Sequence, residues 1–135
     1  MGQAILVEEM KKDGADLIEK LLDEGVEITS ACWLKESDGD RWHLYLVTPL
    51  VKEGGAKRLA YRRVNEVQRK IPPQPGIDYS TIKVVSPDSP VATTVAKMHE
   101  LYPGRTSYVG EGLFGKTYVD AGFIYAPLRA EAKTG

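Results

Sequence analysis

The chain has 135 residues, with 18 basic and 19 acidic side chains, two histidines and one cysteine. At 42% hydrophobic and 27% charged it has the composition of an ordinary soluble globular domain, able to bury roughly two-thirds of its surface on folding. The lone Cys32 excludes a disulfide scaffold, two histidines and one cysteine without ligand spacing exclude a closed zinc site, and no apolar run approaches a membrane span.

The first element in the chain is a helix from about Asp13 to Glu24, with Asp13 as N-cap, Leu17, Ile18, Leu21 and Leu22 as its apolar face, and Gly25 as its stop. Residues 3–12 either extend this helix or form a separate piece; Gly14 argues for a break, because an interior glycine costs about 1 kcal/mol relative to alanine. Ahead of this helix, Ala4-Ile5-Leu6-Val7 is too short for a signal-peptide core, and Leu6 stands where a myristoylation signal needs Ser or Thr. The expected compartment is the cytoplasm.

A hairpin follows. Val26–Glu36 and Arg41–Thr48 are rich in β-branched and aromatic residues, with Ser37-Asp38-Gly39-Asp40 as turn chemistry between them. With Glu36 facing Arg41, one sheet face receives Ala31, Trp33, Trp42, Leu44 and Leu46. The other receives Cys32, Leu34, His43, Tyr45 and Val47. Such a two-sided sheet needs helices on both faces, or one helix layer and a partner subunit.

Gly54-Gly55 leads into a second helix, Ala56–Ile71, closed by Pro72-Pro73. A short strand is predicted at Thr81–Val85, then a third helix with Ser89 as N-cap, Pro90 as first residue, and Val91, Val95, Met98 and Tyr102 on one face. The chain is glycine-rich up to Gly115. Thr117–Ala126 then alternates as a strand with Val119, Ala121, Phe123 and Tyr125 on one side, and residues 127–135 form a frayed tail. The whole reads as one domain over residues 1–135 of α+β or α/β class. A single mixed sheet of four to five strands carries three helices, in the order α-β-β-α-β-α-β with a possible further strand. The step from the second strand through the second helix sets two strands parallel.

Three places carry candidate chemistry. Gly110-Glu111-Gly112-Leu113-Phe114-Gly115-Lys116-Thr117 matches the phosphate-loop pattern, with Gly110 and Gly115 shaping the loop, Lys116 reaching phosphate oxygens and Thr117 a magnesium ion. Such a loop must open into a helix, whereas Tyr118 to Tyr125 alternates like a strand, so the expected structure is a glycine-rich turn. The second helix carries Lys57, Arg58, Arg62, Arg63, Arg69 and Lys70 against Glu66 alone. Arg58, Arg62 and Arg69 fall within about 40° of one another on a helical wheel, a stripe suited to a nucleic-acid backbone or an acidic partner. From Glu8 to Glu27 the bias is opposite, eight acidic residues to three basic, which suits helices that neighbour each other or complementary surfaces between subunits.

Other side chains read as structure. Cys32 and His43 share a sheet face, but a cysteine between Ala31 and Trp33 in a strand is core rather than nucleophile. Asp38, Asp40, Asp78 and Asp88 read as turn carboxylates. Ala31-Cys32-Trp33-Leu34, Val47-Thr48-Pro49-Leu50-Val51, Val84-Val85-Ser86-Pro87 and Val119-Asp120-Ala121 running to Ile124-Tyr125 together resemble a group of small bacterial proteins to which no activity is assigned. That resemblance implies a bacterial cytoplasmic protein and supplies no catalytic residue.

The functional expectation is a non-enzymatic accessory or interaction module that forms homo-oligomers or binds another protein, without metal, cofactor or membrane. The first alternative is a nucleic-acid binder using Arg58, Arg62 and Arg69. The second is a nucleotide or phosphorylated-ligand site at residues 110–117.

Overall fold

Apolar alternation on two adjoining strands decides the centre of the sheet. β1 (Ser30–Glu36) and β2 (Trp42–Val47) pair antiparallel, with Trp33 opposite Leu44 and Lys35 opposite Trp42. That register continues to the expected meeting of Glu36 with Arg41, so the two faces divide as the alternation requires. The structure is a computed structural model that describes residues 8–37, 39, 41–51, 57–77 and 79–128.

Around this pair lie α1 (Glu8–Asp23), α2 (Lys57–Gln68), β3 (Ile82–Val85), α3 (Pro90–Leu101), β4 (Ser107–Val109), β5 (Gly112–Phe114) and β6 (Thr117–Ile124). The described residues form three α-helices and one mixed six-stranded sheet in the order β3-β2-β1-β6-β4, with β5 also on β6; the class is α+β. The sheet has one or two strands more than the sequence suggests. β2 and β3 are parallel, as the intervening helix requires, and the other pairings are antiparallel.

Both faces of the sheet are covered. On the first, Leu17, Ile18 and Leu21 of α1 and Ala60, Val64 and Val67 of α2 pack on Ala31, Trp33, Leu44 and Leu46. On the second, Val91 and Val95 of α3 join Phe114 of β5 over Cys32, Leu34, Tyr45, Val119 and Ile124. The hairpin faces are therefore core, and of the two arrangements expected for a two-sided sheet the chain adopts the one covered on both sides: α1 and α2 on the first face, α3 and β5 on the second.

Helix α3 begins as its sequence dictates. Ser89 accepts a hydrogen bond from the Ala92 N–H at 3.2 Å, with Pro90 directly behind it. α1 also stops as expected at Gly25, where the Val26 N–H donates to Leu21 O and the Gly25 N–H to Leu22 O. Its start differs. Asp13 lies inside the helix, buried, and its carboxylate accepts the Gly76 N–H at 2.9 Å while Gln74 Nε2 donates to its carbonyl at 3.0 Å. Asp13 holds the loop before β3 onto α1 and is no N-cap.

The last strand is also corrected. The β1–β6 register shifts between Lys35 and Glu36, which face Ala121 and Val119 and leave Asp120 as an extra residue on β6. Such a bulge reverses the alternation. Val119 thus joins the second core, while Ala121, Phe123 and Tyr125 pack on the first. Asp120 meets the buried Lys35 at 3.0 Å, and that ammonium also donates to Gly39 O. The lysine beside it holds the Asp120 carboxyl below the usual carboxylate range.

Leu128, assigned to the frayed tail by sequence, packs against the first core. Residues 129–135, Gly54-Gly55 and Ala56 ahead of α2, and the turn carboxylates Asp38, Asp40 and Asp78 lie outside the described residues.

Candidate functional site

Arg58 and Arg62 are exposed on α2, and Arg69 is exposed in the turn after it, because the helix ends at Gln68 rather than Ile71. Among the described residues none of the three has an ion pair. The rest of the basic helix is partly committed to its acidic neighbour: Lys70 pairs with Glu24 at 2.9 Å, and Arg63 donates to Glu24 O at 3.4 Å while pairing with Glu66 at 3.0 Å. Lys70, then Lys20, holds the Glu24 carboxyl below its ordinary range. The opposed charges of α1 and α2 therefore meet within one chain at Glu24.

The glycine-rich motif is a hairpin. Phe114 faces Thr117, Gly115-Lys116 make the two-residue turn between β5 and β6, and Lys116 points outward. Gly115 has φ +64°, and a Cβ there would stand 2.9 Å from the carbonyl of Pro90, the first residue of α3. A left-handed turn and a close backbone approach both require glycine at this position. Gly110 has open space around it, and Thr117 begins a strand. Gly115, Lys116 and Thr117 thus lie at the β5–β6 turn and Gly110 in the β4–β5 connection, and the chain runs on from the motif into a strand, not into the helix whose N-terminus faces phosphate in such loops.

A polar cluster occupies the second face near the β1–β2 turn. The Tyr45 hydroxyl donates to the Glu36 carboxylate, and Lys83 Nζ reaches the same oxygen at 3.2 Å and lies 5.5 Å from the Tyr45 ring centre. Sequence reading did not assemble this group, since Lys83 enters it only through the β2–β3 pairing that sets it opposite Tyr45. Burial, then the bond to Glu36, pushes the Tyr45 hydroxyl far up, and Tyr45 and Lys83 hold Glu36 below its ordinary value. His43 Nδ1 is buried with no hydrogen-bond partner among the described residues, and desolvation, with Lys83 adding to it, lowers that imidazole. Cys32 is fully buried and burial pushes its thiol up, leaving no thiolate for a pair with His43.

This cluster predicts acid sensitivity. Folding lowers both pKa values, so each group stabilises the fold above its unfolded pKa and loses that contribution as pH falls. His43 acts first, as pH drops below its ordinary 6.5, and Glu36 follows below 4.5. The midpoint of thermal unfolding is expected to fall from pH 7.5 to pH 5.5, and His43→Gln to flatten that segment alone. An unchanged slope in the variant would assign the effect elsewhere.

The exposed apolar surface concentrates at the other side of the sheet. Of six large exposed hydrophobics among the described residues, five fall between Leu101 and Tyr118: Leu101, Tyr102, Tyr108, Leu113 and Tyr118. Leu113 (61% exposed) and Tyr118 (67%) are directly paired across the β5–β6 hairpin, on the face opposite buried Phe114 and Val119. Tyr108, also 67% exposed, leans on Phe123 with ring centres 5.1 Å apart, and its hydroxyl accepts from Lys11 Nζ at 2.5 Å. Beside it a cavity of about 270 Å³ is lined by Met98, Tyr102, Arg105 and Tyr108. A second cavity, of about 350 Å³, lies between α3 and the start of β1, lined by Ser30, Ala92, Ala96 and His99. Of these, His99 shares a hydrogen bond through Nε2 with the carbonyl of Tyr125, at 2.9 Å.

No family model matches the chain, and neither a curated protein nor a solved structure matches it. Among the described residues no helix is long and apolar enough to cross a membrane.

Proposed function

We propose that the chain is a non-enzymatic, self-associating protein-contact module, and that its contact surface is the outer β4–β5–β6 portion of the sheet. The observation that carries this reading is the concentration of exposed Tyr108, Leu113 and Tyr118 on strands whose opposite face is packed core. Scattered exposed apolar residues need no explanation, but a cluster of aromatic and leucine side chains on a rigid strand pair is the composition of a contact site. Among the described residues no catalytic set competes with it: the thiol is buried, and the Glu36–Tyr45–Lys83 group is internally paired. The contact requires no cofactor.

Sedimentation equilibrium over a dilution series tests this function. The wild-type chain is expected to exceed its monomer mass at high concentration. Leu113→Ser/Tyr118→Ser is expected to weaken association by about tenfold or more, the equivalent of one half-buried leucine-sized contact. A variant that associates as tightly as wild type would move the contact elsewhere.

One observation favours a second reading. Arg58, Arg62 and Arg69 are exposed and have no ion pair among the described residues, whereas their basic neighbours Arg63 and Lys70 do. A nucleic-acid contact there would show binding that falls steeply with salt and is lost in Arg58→Glu/Arg62→Glu.

A further inference from the structure

We propose that the partner is a second copy of this chain, joined edge to edge through β4 in an antiparallel pairing centred on Tyr108, so that the sheet continues across a two-fold axis. The inference rests on the contact reading above and adds the occupant and its register.

The backbone supplies the first argument. Tyr125 N–H donates to Ala31 O at 3.3 Å, one pair beyond Cys32 opposite Ile124. In an antiparallel ladder alternate residues bond to opposite sides. Phe123 and Tyr125 therefore bond toward β1, and Gly122 and Ile124 toward Val109 and Ser107 of β4. Tyr108, between those two, turns its own N–H and C=O away from β6, where no strand among the described residues pairs with it.

The opposite edge of the sheet is treated differently. On β3 the Val84 N–H is met by the Tyr61 hydroxyl of α2 at 3.2 Å. A capped edge blocks strand addition and an open one invites it. Two copies of Tyr108 facing each other across a two-fold would exchange both N–H···O bonds as one hydrogen-bonded pair.

Charge selects a second copy over other strands. Arg105 precedes β4 and Glu111 follows it, three residues either side of Tyr108, and both are exposed. Antiparallel pairing centred on Tyr108 sets Arg105 of each copy opposite Glu111 of the other, whereas parallel pairing would set like charges together. The edge is complementary to itself, as a two-fold interface must be.

Charge reversal tests the register, read by sedimentation equilibrium at low salt. Arg105→Glu and Glu111→Arg are each expected to weaken the dimer by about tenfold, because each places two like-charged pairs across the axis. Arg105→Glu/Glu111→Arg restores both unlike pairs and is expected to return to within about threefold of wild type. Single variants without effect, or a double variant as weak as the singles, would overturn the edge pairing. If Leu113→Ser/Tyr118→Ser still weakens association in that case, the contact surface stands and only the register falls. A wild-type chain that stays monomeric overturns both.

Discussion

Gly14→Ala is expected to destabilise the protein by about 2 kcal/mol, although alanine favours a helix interior by about 1 kcal/mol. Gly14 lies inside α1, where a Cβ would overlap the Tyr125 hydroxyl and stand 3.1 Å from Trp33 Nε1. That hydroxyl cannot swing aside cheaply. It accepts from Trp33 Nε1 at 2.9 Å and donates to Lys11 O at 2.7 Å, tying α1 to β1 and to the chain beyond β6. Making room breaks two hydrogen bonds of about 1 kcal/mol each and adds overpacking of about 1–3 kcal/mol, which outweighs the helix gain. In a chain this size the loss corresponds to roughly 6–10 °C in the unfolding midpoint. The double variant Gly14→Ala/Tyr125→Phe removes the obstructing oxygen, so the two changes should be non-additive by about 1–2 kcal/mol. Simple additivity would mean the helix and Tyr125 do not meet as described.

Phe114→Ala is expected to cost more, about 3–5 kcal/mol, as for a buried aromatic that leaves a cavity. Phe114 is 2% exposed and packs with Val91, Val95 and Val119, so this one side chain ties the β5–β6 hairpin to α3. The same hairpin presents Leu113 and Tyr118 on its outer face. Chemical denaturation should show the stability loss, and association should weaken with it because the outer residues lose their rigid support. Leu113→Ser, on the exposed face, should leave stability within about 0.5 kcal/mol of wild type. Equal effects of Phe114→Ala and Leu113→Ser on stability would contradict the assignment of inner and outer faces.

These two positions also mark where the fold was legible and where it was not. The β1–β2 register followed from turn residues and strict alternation, because a one-residue slip would have moved every apolar side chain to the wrong face. The Ser89-Pro90 start of α3 is local chemistry and read directly. Asp13 did not read, since an acidic residue before a glycine looks like a cap, and its partner Gly76 is 63 residues away. Gly14 looked like a helix breaker for the same reason: the group that fills its space, Tyr125, comes from beyond the last strand. The bulge at Asp120 was invisible because one extra residue leaves the local pattern intact while reversing every side chain before it.

The candidate surface was the least legible part. β4 and β5 have three residues each and are separated by Gly110-Glu111. Neither reaches strand length alone; both exist because β6 offers a long partner, with Tyr108 opposite Phe123 and Leu113 opposite Tyr118. The available signal was the pair of β-forming runs, Ser107-Tyr108-Val109 and Leu113-Phe114, inside the glycine-rich stretch. Which of their side chains would be exposed depended on strand order, which no local pattern carries. The charged helices were legible in composition, yet their most evident complementarity is spent internally at Glu24. The proposed contact is therefore assigned to the C-terminal strands rather than to the hairpin or to the opposed helices.

Self-association through those strands is tested most directly by sedimentation equilibrium of the wild-type chain from low micromolar to sub-millimolar concentration, beside Leu113→Ser/Tyr118→Ser. The account predicts a mass that climbs from one chain toward two in the wild type, with the variant's curve displaced to higher concentration. A single-chain mass for the wild type at every concentration would contradict it.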